Sequence, residues 1–341
     1  MAKTNYFIGT IVIVSIFLSC SKQVSYNVQG DPAVKFYTNN ESHGNAPQNS
    51  ISFNVINIPE ATGNGLLNLS SDLPDSIKFP VFATRPVIQD VIVGADLNND
   101  LIAEYNASHN TNYVPFPSGI LDTDDLAAKI SAGTTTSDDP ISITTDLSVL
   151  NELTETSYMA PIELTTVSNP AIGEITSSTG QVTYITADVE QRLIKYLAVP
   201  ADALGSLITS RSSWTATFNP APSTTGDIFD GSTSTYTRWN VSPGQVDVNM
   251  QATQNVTGIR LYTSNSTSRT PTQVEVYLSN DGINYDFIGD PERADLIYTS
   301  SRTYILFYKA IPAQYIRLIL YYSASSSSLN RRLAEFDVYA N

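Results

Sequence analysis

Oxygen-bearing side chains are concentrated in residues 227–239, which read Asp-Ile-Phe-Asp-Gly-Ser-Thr-Ser-Thr-Tyr-Thr-Arg-Trp. The Asp230-Gly231 pair is a turn signal, and the Ser/Thr run behind it supplies hydroxyl and carbonyl oxygens. A hard cation such as Ca²⁺ binds clusters of about six to eight oxygens that include carboxylates. Together with Ala334-Glu335, the stretch therefore indicates a calcium-binding loop. The alternative is a polar glycine turn between two strands.

Trp239 ends this stretch and offers a large flat ring beside polar groups. Such a ring covers the apolar face of a sugar in some sites and anchors a loop in the core in others. The sequence leaves both roles open for Trp239. Trp214, by contrast, is interpreted as a core residue in the first strand of the same domain.

Three further segments follow in order, at residues 279–285, 315–318 and 333–339. With the acidic loop they resemble the discoidin, or coagulation factor 5/8 type C, domain over residues 205–341. The resemblance implies a galactose-binding-like jelly-roll β-sandwich, the fold of many carbohydrate-binding modules. It also implies a set of calcium ligands: the carbonyls of Asp227, Ser232, Thr235 and Ala334, the hydroxyl of Thr235, and the carboxylates of Asp230 and Glu335.

A sugar site is expected where family topology brings three loops to one end of this sandwich. Guanidinium groups donate paired hydrogen bonds to vicinal hydroxyls, amides both donate and accept, and aromatic rings cover a pyranose face. The residues that offer these groups are Tyr236, Trp239, Asn265, Arg269, Asn330 and Arg331. The alternative is that Trp239 lies in the core and that the arginines are solvated or paired with acidic residues.

The N-terminal half reads as short strands interrupted by one helix. Residues 34–38, 52–56, 77–82 and 87–93 are the predicted strands, and Pro80 favours an edge position for the third. In the helix, Asn98 or Asn99 can serve as the cap, and one face carries three apolar or aromatic residues, namely Leu101, Ile102 and Tyr105.

Several motifs of this half resemble the DUF1735 N-terminal domain of Bacteroidetes surface lipoproteins, over residues 34–192. They are residues 101–106, 110–113, 141–147 and 158–164, together with Pro117. Proteins with this domain commonly pair it with a discoidin or other sugar-binding module and occur among glycan-utilisation proteins. The residues alone predict only a β-sandwich of short strands.

The N-terminus determines the expected compartment. An apolar run from Tyr6 to Leu18 is shorter than a membrane span of about 20 residues but fits a signal peptide. Residues 17–20 (Phe-Leu-Ser-Cys) resemble a bacterial lipobox, which implies a signal peptide at residues 1–19 and a lipidated Cys20. Residues 20–33 would then tether the protein to the outer membrane, facing the cell exterior. The alternative is an ordinary signal peptide with a chance cysteine.

Composition limits the partners. The 341 residues include 33 acidic and 18 basic side chains, for a net charge of -15, which disfavours nucleic acid and anionic membrane surfaces. Hydrophobic residues make up 41% of the chain, which is long enough for two or three folded domains. Because strand-favouring residues are plentiful, we predict an all-β protein. Pro200 and Gly205 mark a linker at residues 193–204.

The sequence offers little chemistry for an enzyme. His43 and His109 lie in polar loops, and Cys20 is the only cysteine, so neither a Cys-His pair nor a cysteine-based zinc site is expected. The acidic runs at 122–125 and 138–139 are typical of solvated loops, although glycosidases need only two carboxylates. We therefore predict a non-catalytic surface glycan-binding lipoprotein. The alternative is a structural or adhesive protein whose discoidin-like domain binds another protein.

Overall fold

The protein consists of two β-sheet domains. The structure is a computed structural model that describes residues 33–40, 48–176, 179–263, 270–299, 301–323 and 331–341. The predicted signal peptide, Cys20 and the tether up to residue 32 lie outside the described residues. No helix in the described ranges is long and apolar enough to cross a membrane.

The first domain is built around a sheet in which the order of the strands is β3-β2-β13-β11-β6-β9, with β7 beside β11. Two three-stranded sheets, β12-β1-β5 and β4-β10-β8, complete it. The elements are β1 Val34–Tyr37, β2 Ser50–Pro59, β3 Leu66–Ser71, β4 Ser76–Phe79, β5 Phe82–Ala83, β6 Val91–Leu97, α1 Asp100–His109, β7 Val114–Pro115, β8 Leu121–Asp122, β9 Ala127–Ile130, β10 Ile141–Thr145, β11 Ser157–Val167, β12 Gly173–Ile175 and β13 Val182–Gln191.

Alternating side chains build the core of this domain, as they do in β10, where residues 141, 143 and 145 are buried and the two between are exposed. The helix α1 begins after Asn99, whose side chain makes no capping bond, while the Asn98 Oδ1 accepts from the Asp100 amide at 3.2 Å. Of the two predicted caps, Asn98 therefore satisfies the first turn. The helix ends at Asn110, which adopts the left-handed conformation.

The second domain is a sandwich whose two longest strands, β18 and β22, each take part in both layers. The first half of β18 pairs with β16 and the second half with β24, and the register of β18 against β22 shifts between Asn249 and Gln254. The strands are β14 Ile194–Lys195, β15 Ser206–Leu207, β16 Thr215–Asn219, β17 Thr237–Arg238, β18 Gly244–Tyr262, β19 Gln273–Ser279, β20 Asp286–Gly289, β21 Tyr298–Thr299, β22 Arg302–Tyr321, β23 Arg332–Leu333 and β24 Glu335–Ala340.

Apolar side chains from both halves of β18 meet in one core. Val246 and Val248 come from the first half, Ile259 and Leu261 from the second, and all are buried. The sequence-based prediction of an all-β protein with two β-sandwich domains is confirmed, and among the described residues the first domain carries the one short α-helix that was predicted.

The segment predicted as a linker, residues 193–204, contacts the second domain at its start. Within this segment, here called the connector, Ile194 pairs with Phe307 and Lys195 with Leu306 in β22. Ile194 is buried in the core of the second domain. The buried Ile194 side chain therefore holds the start of the connector against the sheet, although Pro200 and Gly205 near the end of the connector are typical of a hinge.

Candidate functional site

The acidic loop of residues 227–235 is anchored to the second domain by its two apolar residues. Ile228 is fully buried, and its carbonyl accepts from the Phe336 amide at 2.9 Å. The Phe229 ring packs edge-on against Trp214 and Phe336, with ring centroids 5.6 Å and 6.4 Å apart. Trp214 is a buried core residue, as the sequence predicted. The oxygen-rich remainder of the loop is thereby held at a fixed place beside β24.

Predicted calcium ligands converge within this loop around the Thr235 hydroxyl. Its Oγ1 lies 2.8 Å from Asp230 Oδ2, 3.1 Å from the Ser232 carbonyl and 3.4 Å from the Asp227 carbonyl. Gly231 has a φ of 77°, which a turn at this point requires and which glycine adopts readily. The turn brings the chain back on itself, so four ligands that are spread over nine residues face one point.

Glu335, at the start of β24, supplies the second carboxylate, and its side chain is 7% exposed. Oε2 accepts from Arg211 Nη1 at 3.2 Å, whereas buried Oε1 has no hydrogen-bond partner among the described residues. Burial, with the neighbouring Asp230 carboxylate, raises the pKa of Glu335 to about 7, and Arg211 opposes this increase. Hydrogen bonds from Ser232 and Thr235 instead lower the pKa of Asp230.

Glu335 belongs to an ion-pair network that also includes Arg211, Asp337 and Arg260. Arg211 Nη1 also lies 2.6 Å from Asp337 Oδ1, and Arg260 binds the other oxygen of that carboxylate at 2.7 Å. Glu335 and Asp337 share one side of β24, while Phe336 and Val338 on the other side enter the core. Two arginines therefore compensate two nearly buried carboxylates.

These residues fit a hard cation. The candidate ligands are all oxygens, and a buried carboxylate oxygen without a donor is the kind of atom that a bound cation satisfies. Groups of three or more His, Cys, Asp or Glu arranged to hold a metal do not occur in the part of the chain that the structure describes. A cation here would therefore depend on backbone carbonyls and one hydroxyl in addition to Asp230 and Glu335.

Tyr236 leaves this loop next to the guanidinium group of Arg332, which follows the predicted site residue Arg331 in the sequence. The Cζ of Arg332 lies 4.8 Å from the centre of the half-buried Tyr236 ring. The pairing of β17 with β23 places these neighbours, because Thr237 lies opposite Leu333 and Arg238 opposite Arg332. We call Tyr236, Asn240, Arg331 and Arg332 the loop-end cluster.

Arg331 has a partly structural role in this cluster. Its Nη1 donates to the Asn240 carbonyl at 3.0 Å, and its own carbonyl accepts from the Trp239 amide at 3.0 Å. These two bonds fasten the chain that leaves β17 to the chain that enters β23. The Asn240 side chain beside them is exposed. The predicted residues Asn265, Arg269 and Asn330 lie outside the described residues.

Trp239 is fully buried, so the prediction that its ring contacts a sugar is wrong. Its indole packs edge-on against Phe218, with centroids 5.8 Å apart. Gly244 lies against the indole so closely that an added Cβ would be 2.7 Å from Trp239 Cδ2. The ring is enclosed by its own domain and anchors in the core the exit of the acidic loop (residues 227–235), which is called the cation loop below.

Family models match the two halves separately. The model described as F5/8 type C domain matches residues 208–333. The C-terminal half carries an F5/8 type C domain. A second model, described as a "-like, N-terminal domain", matches residues 46–171. The family resemblance predicted for each half is confirmed by these matches.

Solved structures with similar folds include one that spans both domains. A two-domain protein with unknown function from Bacteroides fragilis is 16% identical, with a TM-score of 0.49, and the alignment covers 90% of this chain and 94% of that one. The family 32 module of NanJ from Clostridium perfringens, in complex with galactose, is 19% identical, with a TM-score of 0.33, and covers 40% and 99%. The Clostridium perfringens module CpGH89CBM32-5, in complex with GalNAc-β-1,3-galactose, is 18% identical, with a TM-score of 0.33, and covers 40% and 100%. No curated protein matches the chain.

Proposed function

We propose that this protein binds carbohydrate, without catalysis, at the loop end of its F5/8 type C domain. The observation that carries the proposal is the Tyr236–Arg332 pair, a half-buried ring beside a guanidinium at 4.8 Å. Such a ring can cover the apolar face of a pyranose, while guanidinium and amide groups bond its hydroxyls. The exposed Asn240 amide and the guanidinium of Arg331 stand in the same cluster.

The expected affinity is low. The loop-end cluster is a shallow surface, so few atoms of a sugar would be buried, and each sugar hydroxyl must first lose its water. A dissociation constant of roughly high micromolar to millimolar follows for a single sugar unit. Useful retention would then come from the many repeats of a polysaccharide.

The cation loop is proposed to hold a structural Ca²⁺. The carboxylates of Asp230 and Glu335, the Thr235 hydroxyl and the carbonyls of Asp227, Ser232, Thr235 and Ala334 would hold it. When bound, the ion supplies positive charge to two neighbouring carboxylates. The residues themselves connect the loop to β24, and Tyr236 follows the last ligand of the loop directly, so an ordered loop also positions the loop-end cluster.

We propose that the protein is anchored to the outer membrane through a lipidated Cys20 and faces the cell exterior. Other surface glycan-utilisation proteins are the proposed partners there. The test is incorporation of labelled palmitate by a bacterial host that expresses the full chain. Cys20→Ser should abolish incorporation, and equal labelling of parent and variant would contradict the anchor.

Affinity electrophoresis tests the sugar site directly. The two-domain chain, residues 33–341, is run in native gels that contain a soluble galactan, with free galactose as the competitor. Tyr236→Ala and Arg269→Ala should each reduce retention without changing the melting temperature. Arg331→Ala should reduce retention and also lower the melting temperature slightly, because it removes the hydrogen bond to the Asn240 carbonyl. Ile283→Ser is the matched control, because Ile283 is 82% exposed in a different loop of the same domain.

Three results would contradict the proposal. Retention of all three variants at the level of the parent would mean that these residues do not bind sugar. Release of reducing ends from the galactan by the parent, with loss of that activity in an acidic-residue variant, would contradict the non-catalytic role. Capture of a protein ligand with no glycan retention would favour the adhesive alternative.

A further inference from the structure

A cleft with a volume of 360 Å³ lies beside the edge strand β20, where the end of β13 and the connector pass the sandwich. This volume is within the range of about 300–1,000 Å³ that is typical of ligand sites. Ile194 and Ile288 are nearly buried and form its apolar base. None of the residues that line the cleft belongs to the cation loop or to the loop-end cluster.

An aromatic ring stands on one wall of the cleft. Phe287 is 53% exposed, unusually open for a ring on a strand. Behind it packs the Tyr277 ring, with centroids 5.3 Å apart at an angle of 58°. The Tyr277 hydroxyl donates to Glu275 Oε2 at 2.7 Å, which holds the supporting ring in place. Phe287 is therefore a preformed flat surface with one side open.

A fixed guanidinium group stands at the end of β13 on the other side. Arg192 Nε and Nη2 donate to the two Glu190 oxygens at 2.7 Å and 2.8 Å. Its Cζ lies 4.0 Å from the centre of the Tyr196 ring, so the guanidinium is bonded in its plane and stacked on one face. Nη1 has no protein partner among the described residues. Because these contacts already hold the Arg192 side chain in one conformation, a hydrogen bond from Nη1 to a ligand costs little further conformational entropy.

Charge selects the class of ligand. Glu190 and Asp290 line the cleft together with Arg192, so carboxylates outnumber the single guanidinium, and the whole chain carries a net charge of -15. An anionic ligand would be repelled. A neutral, hydroxyl-rich ligand with an apolar face suits both walls, because Phe287 covers the face while Arg192 donates to hydroxyls and the carboxylates accept from them.

We propose that this cleft is a second carbohydrate-binding site, which takes a neutral sugar between Phe287 and Arg192. The inference relies on the carbohydrate-binding function proposed above for its choice of probes, but it uses none of the loop-end residues. Two separate sites on one chain would strengthen binding to a polysaccharide that reaches both.

The test is methyl NMR of the two-domain chain (residues 33–341) with labelled isoleucine δ1 methyls. Ile194 and Ile288 report on the base of the cleft, and buried Ile228 reports on the cation loop. The probes are galactose, N-acetylglucosamine and GalNAc-β-1,3-galactose, each titrated to saturation or to its solubility limit. We expect the Ile194 and Ile288 signals to shift with at least one probe. The variant Arg192→Gln/Phe287→Ala should bind that probe about three- to tenfold more weakly.

Ile283→Ser is the control and should titrate like the parent. If Ile194 and Ile288 are unmoved by every probe, or if the cleft variant titrates like the parent, the inference is wrong. If the cleft signals respond in a Tyr236→Ala variant that is no longer retained by galactan, the cleft binds independently of the loop end. If galactan retention depends on Tyr236 while the cleft signals stay unmoved, the proposed function stands and the second site does not.

Discussion

Glu335→Gln is expected to remove most of the pH dependence of stability of the C-terminal domain in the absence of cations. In the parent, burial and the Asp230 carboxylate raise the pKa of Glu335 from its ordinary 4.5 to about 7. Because the folded-state pKa is the higher one, the protonated carboxyl contributes stability that is complete below about pH 4.5. That stability is lost as the pH rises through about 7. Gln has the same size as Glu and cannot ionise, so the stability of the variant does not fall in this way as the pH rises.

The magnitude follows from the two pKa values. A rise in the pKa of Glu335 from 4.5 to about 7 corresponds to about 3 kcal/mol in the free energy of unfolding, since each pKa unit is worth about 1.4 kcal/mol. Solvent screening at the mouth of the loop reduces this to about 2 kcal/mol. For a domain of this size, about 2 kcal/mol corresponds to a change in melting temperature of about 6 °C.

Scanning calorimetry of the two-domain chain at pH 5 and pH 8, with EDTA or with Ca²⁺, measures the effect. In EDTA the second transition of the parent should fall by about 6 °C more than that of Glu335→Gln between the two pH values. Ca²⁺ should restore the parent at pH 8, because the cation replaces the missing proton, and should affect the variant less. An equal fall in both proteins would show that Glu335 is not the titrating group. A parent melt that is the same with EDTA and with Ca²⁺ would contradict a structural ion.

Substitutions at three further residues test the ion-pair network, the core and the hydrogen bond between Tyr277 and Glu275. Arg211→Met should destabilise the domain by about 3–5 kcal/mol in urea unfolding, because it leaves two nearly buried carboxylates with one cation fewer. A loss below about 1 kcal/mol would contradict this account of the network. Trp239→Ala should lower the free energy of unfolding by about 3–5 kcal/mol through the cavity it leaves, whereas Trp239→Phe should keep galactan retention. If Trp239→Phe loses retention while its melting temperature is unchanged, the indole does contact the glycan. Glu275→Gln should lower the pKa of Tyr277 from about 12 towards about 10, measured by ring-carbon NMR, since the hydrogen bond to the carboxylate is its main cause. A pKa that stays near 12 would show that Glu275 is not responsible.

Alternation and turn residues were enough to locate the four strands predicted for the N-terminal half. The predicted strand at 34–38 corresponds to Val34–Tyr37, and that at 77–82 is present but divided at Pro80, which cannot donate to a ladder. The strand predicted at 87–93 begins later, at Val91, because Val87 instead bonds the turn at residues 133–134. The pattern of residue types locates apolar runs, but only the pairing partner decides where a run becomes a strand.

The residues of the candidate site could be predicted from the sequence only in part. The converging oxygens of the cation loop followed from a family resemblance, because loop carbonyls leave no mark in residue types. The pairing of Arg211 with Glu335 joins residues 124 positions apart, which local spacing does not connect. The alternation of acidic with apolar residues in β24 was a visible signal of buried carboxylates that need cations. Burial of Trp239 depends on Phe218 and Gly244, and the residue type alone allowed either outcome.

The pairing of the connector with β22 also determines how the molecule would carry a mechanical load. A pull on the N-terminal chain, resisted by a glycan held on the far domain, must pass through residues 192–205. The two residue pairs between β14 and β22, with Ile194 seated in the core, are the first bonds on that path. Their rupture would release extra chain length while both sandwiches remain folded. Single-molecule stretching should therefore show a short, low-force extension before either domain unfolds.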